Sequence, residues 1–349
     1  MEEFHSTSSL TATFVVSVYI LGFAVGPIIV APLSEMYGRV WIYNVTNILF
    51  LVFTIAAAVS TNVGMLIAFR LFMGISGSAS LAIGSGTIAD TMPVSQKARA
   101  LSFWTLGPLF GPSIGPIAGG YLIEAAGWRW VFWLVAIVAA VATVMCIVFF
   151  RETYAPKLLR DKATRLRKET GNPDLRSPYE KSELTKLERF KIGIIRPAKM
   201  ITRPAILLLS PYVAAAYGAQ YLLFTTFTFV FEDRYGFTAD QSGLIFIPSA
   251  IGQVLVNVIF SQMADLFVRR RIASGEEPKP EHRLNPFMAV IGGLFLTGGL
   301  FLYGWTVQFE VHWIAPAIGS ALVGFGLIGV MVSVGYFTKL GSSANANIH

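Results

Sequence analysis

The stretch ALSFWTLGPLFGPSIGPIAGGYLI, residues 100–123, carries no charged residue, yet holds prolines at 108, 112 and 116 and glycines at 107, 111, 115, 119 and 120. In water such a density of helix breakers reads as a loop. An uncharged run of 24 residues reads instead as a bilayer crossing, which needs about 20. The spacing favours a helix. Gly107, Gly111, Gly115 and Gly119 recur every four residues, so on a helix they line one smooth seam, a repeated GxxxG that lets another helix approach closely. Pro108, Pro112 and Pro116 lie one residue on and form an adjacent stripe. Each removes a backbone donor, and a bilayer tolerates this where neighbours re-satisfy the freed carbonyls.

Composition agrees with a polytopic membrane chain. Of 349 residues, 54% are hydrophobic and 13% charged, against about 25% charged in soluble domains. The mean hydropathy is +0.61. Cys146 is the single cysteine and the four histidines are scattered, so neither a disulfide framework nor a metal cluster is expected. No cofactor is implied. The acidic, polar start MEEFHSTSS is unlike the basic opening of a cleavable signal.

Nine spans are expected, near 10–33, 40–60, 65–89, 100–123, 130–150, 205–231, 242–264, 286–306 and 313–337. Alternate loops collect 24 of the 27 Lys and Arg residues, and loop 151–203 alone has 15 against seven acids. Those loops are expected in the cytoplasm. The net charge of +7 is therefore membrane topology, and nucleic acid is excluded as a partner. This orientation puts the N-terminus outside and the C-terminus inside. The expected division is an N-terminal bundle 1–150 of five spans, a basic cytoplasmic linker 151–203, and a C-terminal bundle 204–349 of four. Within the linker, YEKSELTKLERFKIG (179–193) reads either as a surface helix with Leu184, Leu187 and Phe190 on one face, or as solvated chain.

Several segments carry a resemblance. LGFAVGPIIVAPLSEMYGRVWIY (21–43), RLFMGISGSASLAIGSGTIAD (70–90) and the opening stretch are joined by YLLFTTFTFVFEDRYGF (221–237), PEHRLNPF (280–287), LYGW (302–305) and HWIAPAIG (312–319). Together they resemble the major facilitator superfamily, in its fungal branch of twelve-span drug:proton antiporters. Glu35 stands where many members have Asp, and Val40 where a second base is usual. The resemblance covers essentially the whole chain and implies an all-α membrane fold of two helical bundles. Mapped onto it, the nine spans correspond to helices two through ten, so an incomplete fold is expected. It further implies a plasma-membrane exporter of small molecules, acting as a monomer. Cargo would bind between the bundles, which rock to alternate access while protons flow inward. The alternative is a truncated, non-transporting or regulatory paralogue or fragment. A membrane enzyme lacks support, since no nucleophile constellation appears.

The resemblance assigns candidate residues. Arg70, the only charge deep within a span, is associated with proton coupling. From the residues alone, a buried functional charge and a side chain snorkelling to the surface about 9 Å away are both open. Glu35, Gly38, Arg39 and Asp90 would form a cytoplasmic gate in which Asp90 partners Arg39; ordinary interfacial charge is the other reading. The opening stretch resembles the antiporter motif (Gly107, Pro108, Gly111, Pro112, Gly115, Pro116, Gly119, Gly120), whose helix seals the central cavity and bends between access states. Tyr217, Gln220, Tyr221, Phe224 and Thr228 make one helical stripe, and Gln253 and Asn257 an i, i+4 amide pair. Substrate contact and helix–helix packing are equally open for both groups.

Overall fold

A computed structural model describes residues 9–178, 185–273 and 286–346. Every regular element among them is a helix. In chain order they are α1 (Ser9–Tyr37), α2 (Arg39–Ala58), α3 (Val63–Gly77), α4 (Ala79–Thr91), α5 (Val94–Ala126), α6 (Trp128–Phe149), α7 (Ala155–Thr170), α8 (Lys186–Ile201), α9 (Pro204–Tyr235), α10 (Ala239–Leu244), α11 (Phe246–Ala273), α12 (Pro286–Gln308) and α13 (Ile314–Ala346). Each expected span falls on this series. Among the described residues seven stretches are long and apolar enough to cross a membrane: Thr13–Tyr37, Arg39–Ala58, Val63–Thr91, Trp128–Phe149, Ile206–Tyr235, Asp240–Phe260 and Val290–Gln308. In α13 the shorter stretch Ile314–Val330 is apolar. α5, its hydropathy lowered by glycine and proline, is not among the seven.

Two expected spans are broken. The span near 65–89 is α3 and α4, parted at Ser78, whose hydroxyl donates to the Ile75 carbonyl at 2.8 Å. The span near 242–264 is α10 and α11, parted at Ile245. The linker is not structureless. It holds α7 and α8, and of the two readings of 179–193 the described part, from Lys186 on, is helical, within a helix that continues to Ile201. Residues 179–184 of that expectation, including Leu184, lie outside the described residues. Thr185 and Glu188 build a capping box at its start: the carboxylate accepts from the Thr185 N–H (2.7 Å) and hydroxyl (2.8 Å). These bonds hold the Glu188 carboxyl below its ordinary pKa.

The chain divides into two compact units, Met1–Leu106 with Ala126–Ala198, and Gly107–Ala125 with Lys199–His349. In the first, α1 lies along α3, and α2 packs on α3 and α6. Small residues permit the α1–α3 approach: a Cβ on Gly74 would lie 2.9 Å from the Phe23 backbone nitrogen. The core between them holds Val15, Ala57, Leu66, Met73 and Phe132. In the second unit α13 packs against α9, α11 and α12 around Phe227, Phe231, Phe246, Val323 and Val330. The outside is apolar too. On α6, Val138 is 62% and Val148 65% exposed, a surface suited to hydrocarbon rather than water.

Candidate functional site

α2 begins one residue after α1 ends, and that residue is Gly38, at φ 99° and ψ 159°. Glycine brings no side chain to cap the helix. An acid from far along the chain does so instead. Oε1 of Glu152, just beyond α6, accepts from the backbone N–H of Arg39 at 3.0 Å and of Thr153 and Tyr154 at 3.1 Å. A carboxylate at a helix N-terminus also meets the positive end of its dipole. Lys157 of α7 joins the knot: its Nζ lies 3.7 Å from Glu152 Oε2 and donates to the Tyr37 carbonyl at 2.5 Å.

The Arg39 side chain reaches across to α4. Nε meets Asp90 Oδ2 at 3.3 Å, and a terminal nitrogen donates to the Ser34 hydroxyl at 3.0 Å. The guanidinium lies 5.1 Å from the centre of the Tyr154 ring, a cation–π contact. Gly86 leaves room for it, since a Cβ there would sit 2.9 Å from an Arg39 terminal nitrogen. Burial pushes the Tyr154 phenol above its usual pKa, and the charges of Glu35 and Asp90 add to that while Arg39 opposes it. Glu35 itself is exposed and stands outside the Arg39–Asp90 pair. Of the expected gate, then, Gly38, Arg39 and Asp90 come together, and Glu152 takes the inner acidic place. Sequence offers no signal for it, since glycine is itself an accepted N-cap and Glu152 is 113 residues away.

With Arg39 12% and Asp90 27% exposed, the pair is partly shielded, and its coupling is expected to be about 1 kcal/mol. A double-mutant cycle with Arg39→Gln and Asp90→Asn, read by thermal unfolding of purified protein, measures it. Additive effects would mean that the pair holds nothing.

Arg70 lies on α3 in the first unit. Its guanidinium carbon is 5.2 Å from the centre of the Phe132 ring on α6. Nε is buried without a hydrogen-bond partner, and no ion pair to Arg70 occurs among the described residues. The residue as a whole is half-buried, so Nε sits inside while a terminal nitrogen that snorkels to water is compatible with the same placement.

α5 is one unbroken helix through Pro108, Pro112 and Pro116. Among the described residues nothing lies within 4 Å of a Cβ added at Gly107, Gly111, Gly115 or Gly119. The close approach falls on the neighbouring stripe: a Cβ on Gly243 of α10 would lie 2.7 Å from the Pro116 carbonyl oxygen. Gly120, beside Gly119, is buried.

On α9, Gln220 is buried, while Tyr217 and Tyr221 are partly exposed and stack at 6.4 Å. Phe224 sits 5.4 Å from Phe246. The Ser249 hydroxyl is shared, receiving Gln220 Nε2 at 3.4 Å and Gln253 Nε2 at 3.5 Å. Asn257 is half-buried one turn beyond Gln253. Gln220 Oε1 is buried without a partner among the described residues. The stripe thus has two sides, an amide–hydroxyl cluster turned inward and an aromatic pair that stays accessible. Among the described residues no group of acids, histidines or cysteine is placed to hold a metal.

Comparison with known proteins defines the class. The family model for the Major Facilitator Superfamily matches residues 1–347. The chain belongs to that superfamily, whose relatives here are transporters rather than enzymes. It is 45% identical over 355 residues to the efflux pump radE of Floropilus chiversii, covering 99% of this chain and 65% of that protein. It is 48% identical over 340 residues to the MFS-type transporter tndD of Aspergillus flavipes, covering 96% of this chain and 63% of the relative. The chain therefore spans less than two thirds of the length of these relatives. In fold it is similar to the xylose transporter XylE from E. coli in a partially occluded inward-open conformation, with a TM-score of 0.62, 17% identity, and coverage of 96% of this chain and 79% of that one.

Proposed function

We propose that the chain serves secondary active export of small organic molecules across the plasma membrane by proton antiport with alternating access. The observation that carries the coupling is Arg70, a cation inside the helices with a buried nitrogen left unpaired. Such a group is costly and tends to mark an ion path. Outward direction is supported by likeness to a protein named as an efflux pump. In this reading the bundles are 1–150 and 204–349, Arg70 couples protons, and Gly38, Arg39 and Asp90, with Glu35 at the rim, form the cytoplasmic gate. Glu152 anchors that gate. Tyr217, Tyr221 and Phe224 offer flat apolar contact to cargo, with Gln220, Gln253 and Asn257 supplying amides. The glycine seam and prolines of α5 permit its bending. The working unit is a monomer.

The test is expression in a yeast lacking its own drug pumps. Raised tolerance to a panel of toxic aromatic metabolites, abolished by dissipating the proton gradient, is the expected result. Unchanged tolerance from a chain that reaches the plasma membrane overturns export and favours a non-transporting relative.

A further inference from the structure

The linker helix α8 has no part in the gate or in the cargo stripe. Between Lys186 and Ile201 it carries five basic residues, Lys186, Arg189, Lys191, Arg196 and Lys199, against the single acid Glu188. It also leaves large apolar side chains open: Leu187, Ile192, Ile195 and Ile201 are all exposed. In water alone that combination is unfavourable. Two anchors place this helix at bilayer level. At its end, only Thr202 and Arg203 separate Ile201 from Pro204, where α9 starts, and the membrane-spanning stretch follows from Ile206. Near its middle, Gly193 lies against Pro32 of α1, so closely that a Cβ there would be 2.7 Å from Pro32 Cβ. Pro32 is five residues from the end of the α1 span at Tyr37, about 7.5 Å along the helix. A helix tied to the rim of one span and joined directly to another has little freedom to leave the surface.

We propose that α8 lies in the headgroup layer of the cytoplasmic leaflet and binds anionic phospholipid. The exposed Lys191 and Lys199 take the phosphate and carboxylate groups, and the exposed isoleucines and leucine enter the acyl boundary. An anionic leaflet attracts a cationic helix in this way, and its apolar side chains deepen the contact. The proposal does not depend on transport; it needs only that the chain spans a bilayer.

The experiment places a fluorophore on the helix. In the full chain with Cys146→Ser, Ile195→Cys is labelled with an environment-sensitive NBD dye. The protein is reconstituted in nanodiscs of phosphatidylcholine alone, or of phosphatidylcholine and phosphatidylserine in equal parts. Expected is a blue shift in the mixed discs, quenching by lipids spin-labelled near the headgroup, and reversal in high salt. Lys191→Gln with Lys199→Gln, two exposed positions, should remove most of the shift without altering elution on size exclusion. Water-like emission in both lipids overturns the proposal. So does an equal shift in both, which would mean apolar insertion without charge selection. A shift that spin-labelled lipids leave unquenched also overturns it, since the dye would then be covered by protein.

Discussion

Gly38→Val is expected to remove most of the folded protein. The backbone at φ 99° and ψ 159° is a conformation essentially reserved for glycine, costing a side chain about 1–3 kcal/mol. Space is also lacking. A Cβ at this position would fall on the Glu152 carboxylate and lie 2.5 Å from Lys157 Cδ. Displacing Glu152 would release the N–H groups of Arg39, Thr153 and Tyr154 that it accepts. Overpacking adds roughly 1–3 kcal/mol, so the whole change costs about 2–6 kcal/mol, comparable to a domain's entire margin. Gly171→Ala is the control. That glycine caps α7 at φ 67° with nothing within 4 Å, and its change should cost only about 1 kcal/mol. Fluorescence-detected size exclusion with thermal challenge ranks the two. Equal losses would mean that the crowding by Glu152 and Lys157 contributes nothing.

The second large effect should fall on export, not on folding. Arg70→Met keeps an unbranched apolar stem that reaches the position of Nε and removes the charge. The guanidinium carries a buried unpaired nitrogen and rests on Phe132. Replacing a buried charge by a well-packed apolar side chain is often neutral or stabilising, so the variant should melt at or above the parent temperature. If the charge couples protons, the same variant gives no tolerance in the pump-deficient yeast. Tolerance retained at parental level would sink the coupling role. Loss of both stability and tolerance would make Arg70 a packing residue. Arg70→Ala confuses these outcomes because it also opens a cavity.

The crossings were legible because length, hydropathy and the alternation of basic loops all point one way. The interruptions at Ser78 and Ile245 were not, since the apolar pattern runs through both and a helix break in a span leaves no charge behind. The Arg39–Asp90 pair was anticipated through family likeness. Glu152 escaped because it is 113 residues from the Arg39 N–H that it accepts and stands in what reads as linker. The aromatic and amide stripe of α9 shows a limit of periodicity. Spacing put Gln220 and its neighbouring tyrosines on one face, whereas the amide turns to Ser249 and the rings remain accessible.

The glycine seam of α5 has a further meaning. From Gly107 to Gly119 is 12 residues, about 18 Å of helix, and along it four methyl groups would meet no neighbour within 4 Å among the described residues. Alanine would firm a helix by about 1 kcal/mol at each such place. The chain forgoes that gain four times over, at a fixed interval and along a single line. Machinists call such unfilled space clearance. Its dimensions, one methyl deep and about three turns long, set the size of any backbone that can slide past this helix without being stopped by a side chain.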